Sequence, residues 1–67
     1  MTTPEKEWFL SLPKEIKLTL MADMLKEDKV GMALATMKIL LDAPISKGGI
    51  LTDDIQKVFD ADIEARR

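Results

Sequence analysis

Cysteine and histidine are both absent from this 67-residue sequence. Without cysteine there is no disulfide to staple a small fold, no thiolate nucleophile and no sulfur-based metal cage. Without histidine the chain also lacks the commonest general base near neutral pH and the commonest transition-metal ligand. An excess of one charge is missing too: 10 Lys and Arg are interspersed with 12 Asp and Glu, a formal net charge of -2. A chain so balanced has no electrostatic footprint for nucleic acid. No apolar run approaches the ~20 residues that span a bilayer, because Lys38 interrupts the longest one. The opening residues MTTPEKEW carry neither a basic segment nor a cleavage site, which predicts a cytoplasmic protein without a membrane partner. No repeat or low-complexity stretch divides the sequence, so residues 1–67 are expected to form a single small helical domain.

What is present is apolar surface in helical register. In residues 30–43, VGMALATMKILLDA, the positions Val30, Met32, Ala33, Leu34, Met37, Ile39, Leu40, Leu41 and Ala43 cover an arc of roughly 220° on a helical wheel, against ~100° for an ordinary surface helix. Only Gly31, Lys38 and Asp42 mark a polar edge. A helix apolar on nearly every side needs neighbours on nearly every side, and a chain this short buries only about 60% of the surface its unfolded form exposes. Of the usual aids to small folds, association is the one this composition leaves open.

Thr3 before Pro4 reads as the start of a short helix, with Glu5 and Glu7 at its positive end. Pro13 ends it near Ser11, because the residue before a proline is pushed out of helical geometry. A helix of about two turns does not persist alone in water, so Trp8, Phe9 and Leu12 must hold it against something, either the chain's own core or a partner. A second helix should restart with Ser11 or Leu12 at its cap and run to about Asp28. Its apolar residues Ile16, Leu18, Leu20, Met21, Met24 and Leu25 spread over roughly 200°, which predicts two buried faces. Lys17 falls inside that arc, where its stem is expected to lie along apolar surface with the ammonium in water, or to meet an acidic partner. Residues 27–29 are expected to form the turn of an αα-hairpin, with Asp28 capping the third helix, the alternative being one continuous helix through Lys29 and Val30, since Gly31 costs a helix only about 1 kcal/mol. Pro44 stops that helix, residues 45–49 read as loop, and Thr52 is expected to cap a last helix carrying the stripe Ile55, Val58, Phe59 and Ile63. Asp62 lies within that stripe, one turn before Arg66, either solvated at a frayed end or paired.

No constellation in the sequence carries recognisable chemistry. Asp60, Asp62 and Glu64 alternate like the opening of a calcium loop, but the required glycine is missing and the pattern is helical. Lys47-Gly48-Gly49 lacks the spacing of a phosphate loop and no strand leads into it. As a helix-turn-helix, the second helix would offer base edges little beyond Thr36 and Lys38, leaving only Lys14, Lys17, Lys26 and Lys29 for phosphates.

These observations predict an all-α fold: a short N-terminal helix, a central αα-hairpin and a C-terminal helix, assembling as a helical-bundle homodimer. The expected dimer interface is Met32, Ile39, Leu40 and Met24, and the expected partner-binding surface is Trp8, Phe9, Lys14, Lys17 and Met21. No catalytic residue, metal ligand or cofactor is expected. The function so implied is non-enzymatic: binding, and so inhibiting or modulating, another protein. In size and composition the chain resembles small phage or plasmid accessory proteins that occupy a surface on a host regulator or enzyme. A DNA-associated regulator and an oligomerisation subunit of a larger assembly are the alternatives, the first marked by salt-sensitive binding.

Overall fold

The computed structural model describes residues 3–67, which hold five helices and no strand. They are α1 (Pro4–Ser11), α2 (Lys14–Lys26), α3 (Val30–Asp42), α4 (Ile45–Gly48) and α5 (Thr52–Ala65). None of them is long and apolar enough to cross a membrane.

The first helix begins as its sequence implies: Thr3 is the N-cap, its hydroxyl accepts from the Lys6 amide at 3.2 Å, and Pro4 occupies the first turn. The second does not. Pro13, not Ser11 or Leu12, precedes α2, and the Ser11 hydroxyl turns back to donate to the Trp8 carbonyl at 2.6 Å. The break between α2 and α3 is made by Asp28, which takes a left-handed conformation at φ 59. Its amide donates to the Leu25 carbonyl (3.1 Å) and that of Lys29 to the Met24 carbonyl (2.8 Å), the paired bonds of a Schellman stop. Asp28 therefore terminates α2 instead of capping α3, whose start has no side-chain cap.

Two further expectations are corrected. Residues 45–49 are not an open loop: Ile45–Gly48 form one helical turn closed by Gly49 at φ 63, a left-handed position that suits glycine. Thr52 is the first helical residue of α5 and not its cap; the Asp54 carboxylate reaches back to accept from the Leu51 amide at 3.1 Å.

Helix α2 is the centre of the arrangement, packing on both α3 and α5, while α1 packs on α4. The two buried faces expected of α2 are accounted for by these two neighbours. An ion pair between Lys14 and Asp54 (3.0 Å) joins the N-terminal ends of α2 and α5, and Arg66 reaches the Leu25 carbonyl and the Asp28 carboxylate (3.0 Å) at the other end. The two helices thus run parallel, fastened at both ends. Leu10, Met21, Leu25, Ala33, Leu40, Ile50 and Ile55 form the buried core, with Phe9, Leu18, Met24, Met37, Ile39, Ala43, Val58 and Phe59 packed around it. Gly48 is part of this packing, since a Cβ there would lie 3.1 Å from the Leu40 carbonyl and 3.3 Å from the Ala43 methyl.

The α5 cap is the point where acid should act. The Leu51 amide, then Lys14, hold the Asp54 carboxyl below its ordinary pKa of 3.8, and an unfolded chain lacks both contacts. Its contribution is therefore complete above the ordinary value and is lost as pH falls through the lower folded value. Asp54→Asn is expected to lower the urea midpoint at neutral pH, the gap from wild type closing as the medium is acidified. A gap unchanged by acid would show that the charge is immaterial.

Candidate protein-interaction surface

The sequence-derived interface residues separate into core and surface. Of the proposed partner-binding group, Trp8 is 63% exposed, Phe9 is half-buried against the core, and Lys14 is engaged with Asp54. Met21 has no exposed surface and Lys17 only 2%, so neither can present itself on the edge where it was expected. Both lie on the side of α2 that carries Leu25 into the core. Of the proposed dimer residues, Leu40 is likewise core at 1% exposure, while Met32 stands out at 56%. Met24 and Ile39 are half-buried and line a shallow cavity of about 280 Å³ with Phe9 and Thr36 between α1, α2 and α3.

Lys17 makes the largest departure from expectation. Its ammonium reaches no water-facing position; it donates to the carbonyls of Leu10 (3.3 Å), Lys47 (2.9 Å) and Gly48. Those oxygens belong to the last turns of α1 and α4, where carbonyls have no partner within the helix and the macrodipole is negative. The three N–H bonds of the ammonium meet three acceptors, and a cavity of about 330 Å³ opens beside it. Burial lowers the Lys17 pKa from its ordinary 10.5. The charged form is thus disfavoured relative to the unfolded chain, and this handicap is lifted as pH rises through the folded value towards 10.5.

The acidic triplet of α5 is dispersed. Asp60 accepts from Gln56, Asp62 pairs with Arg66 and Glu64 with Arg67; among the described residues no three carboxylates converge to hold a metal ion. Arg66 bridges Asp62, Asp28 and the Leu25 carbonyl, and its pKa is raised by Asp28 first and Asp62 second. The C-terminus of α5 is therefore fastened within the chain by these pairs.

What remains is apolar surface. Val30, Leu34 and Leu41 are 45, 46 and 42% exposed and fall, with half-buried Met37, at the 4-3-4 spacing that aligns side chains along one helix face. This seam was present in the sequence but was masked there by the larger apolar arc. Ile45 at 76% and Ile63 at 54% are exposed elsewhere. The chain exposes 4833 Å² in all, where a compact monomer of its 7.5 kDa exposes about 4,250 Å². Its radius of gyration is 11.7 Å, against about 10.9 Å for a compact domain of this length.

No family model matches the chain, and no significant similarity connects it to a curated protein or a solved structure.

Lys17→Met, which keeps the stem but removes all three donors, is expected to cost about 2–4 kcal/mol. That is a large part of the total for a domain whose stability is on the order of 5 kcal/mol. Urea unfolding followed by circular dichroism measures it; a loss under ~0.5 kcal/mol would mean that water replaces the ammonium at no cost.

Proposed function

We propose that this chain is a non-enzymatic protein-binding module, a helical homodimer that covers a surface on another protein in the cytoplasm and so modulates its action. One observation carries the reading: after the core is filled, a continuous apolar seam on α3 and a 63%-exposed tryptophan remain, on a chain with more surface than its mass calls for. Catalysis is disfavoured by the absence of His and Cys.

In this reading the hairpins of two copies meet through Val30, Leu34, Met37 and Leu41, facing across a two-fold axis. Leu40 belongs to the interior of each protomer and Met24 is half-buried on α2 against that core, so neither lies on this seam. Trp8, on the separate short helix α1, stays available as an aromatic anchor for the modulated protein.

Light scattering behind a sizing column at ~10 μM, a concentration above the Kd of a stable dimer, is expected to give twice the chain mass. Leu34→Glu with Leu41→Glu should weaken association by a hundredfold or more, on the order of 1.5–3 kcal/mol per leucine, with helicity kept. Met32→Glu, away from the seam, should leave the dimer intact. A monomeric wild type, or a dimer surviving the double substitution, overturns the proposal.

A further inference from the structure

The parallel pairing of α2 and α5 leaves an open groove of about 330 Å³ along its outer side. Its floor is apolar, with Leu18 and Val58 at depth and Ala22, Ala61 and Ala65 where larger side chains would fill the space. Its rim is ionic but unevenly satisfied. Asp54 is committed to Lys14 and the Leu51 amide, and Asp62 is committed to Arg66. Lys26 and Lys57, one on each helix, form no hydrogen bond or ion pair among the described residues. Lys57 contributes only its field at Asp54. On a chain of net charge -2, the uncompensated charge of this groove is positive.

We propose that the α2–α5 groove is the docking site for an amphipathic helix of the modulated protein, whose apolar stripe enters the groove and whose flanking Glu or Asp residues meet Lys26 and Lys57. Three features favour a helix. The groove follows the axes of two parallel helices, so a third helix laid along it completes a three-helix layer. The alanines permit close approach of a third backbone. An apolar floor with an unpaired lysine on each rim, the rim carboxylates being held by Lys14 and Arg66, is a form in which helix-in-groove sites select partners, with anchors at i, i+3, i+4 and i+7 and the charges setting specificity. The α3 seam of a second copy is a poor occupant, because it is flanked by Lys38 as well as Asp42 and brings no net acid to the lysines; docking of a second copy through an acidic helix is an outcome of the test, read from the dimer mass of the lysine variant. The proposal rests on the protein-binding reading above but uses a surface separate from the α3 seam.

The test uses the full chain and two synthetic, fluorescein-labelled helical peptides with the same leucine stripe, flanked by glutamates in one and by lysines in the other. The glutamate peptide is expected to bind by fluorescence anisotropy, with amide shifts in a 15N spectrum centred on Ala22, Ala61 and Ala65. Lys26→Glu with Lys57→Glu should weaken that peptide by roughly tenfold and reverse the preference towards the lysine peptide, with helicity and dimer mass unchanged. Ala61→Trp, which fills the groove without touching its charge, should abolish binding of both. If the lysine peptide binds wild type as tightly, if the shifts fall on Val30, Leu34 and Leu41, or if neither peptide binds at millimolar concentration, the groove proposal is overturned. Light scattering on the same samples keeps the two proposals apart: an intact dimer without peptide binding removes the groove alone, and peptide binding by a monomer removes the dimer alone.

Discussion

A buried ammonium ties the two parts of this fold together, beside the apolar core that Leu10 of α1 shares with Met21, Leu25 and Leu40. Helices α1 and α4 pack on each other, and α2 packs on α3 and α5; Lys17, rising from α2, joins the carbonyl ends of α1 and α4. The arrangement solves two problems at once. Short helices expose unpaired carbonyls that are costly to bury, and a buried cation is costly unless every proton is bonded. Bringing them together satisfies all three N–H bonds, and no buried side-chain nitrogen or oxygen among the described residues is left without a partner. The exposed Lys47–Glu7 pair at 3.1 Å adds little beside it, being screened by solvent.

The same economy of polar groups operates at the far end, where Arg66 joins the end of α5 to the turn that terminates α2. Asp28 adopts a left-handed backbone without being glycine, a conformation that asparagine and aspartate tolerate best. With Lys14–Asp54 at one end and Arg66 at the other, α2 and α5 are held in parallel register. That register keeps the small residues of the two helices side by side and leaves the groove between them open. The groove is thus a consequence of how the polar ends of α2 and α5 are tied.

The fold and the surfaces were legible in the sequence to different degrees. Thr3-Pro4, Pro13, Pro44 and the acidic opening of α5 each act on the backbone within a few residues, so helix positions could be read from them. Which part of an apolar arc faces inward could not. Leu40 and Leu41 are adjacent and chemically identical, yet one is 1% exposed and the other 42%. Met21 and Met32 divide in the same way, at 0 and 56%. The arc of α3 is wide enough to seat its neighbours at several rotations, and hydropathy has no term that distinguishes them.

By itself the sequence determined an all-helical chain, the approximate bounds of its long helices and the exclusion of chemistry that needs cysteine or histidine, because these follow from local sterics and composition. It also determined that more apolar surface exists than one small core uses. The tertiary structure alone decided the fate of Lys17. A lysine within an apolar arc reaches water unless acceptors lie closer, and those acceptors are backbone carbonyls from residues 7 to 31 positions away. Their positions depend on the packing of α1 against α4. No pattern in the side-chain sequence encodes where a backbone carbonyl from another helix will stand.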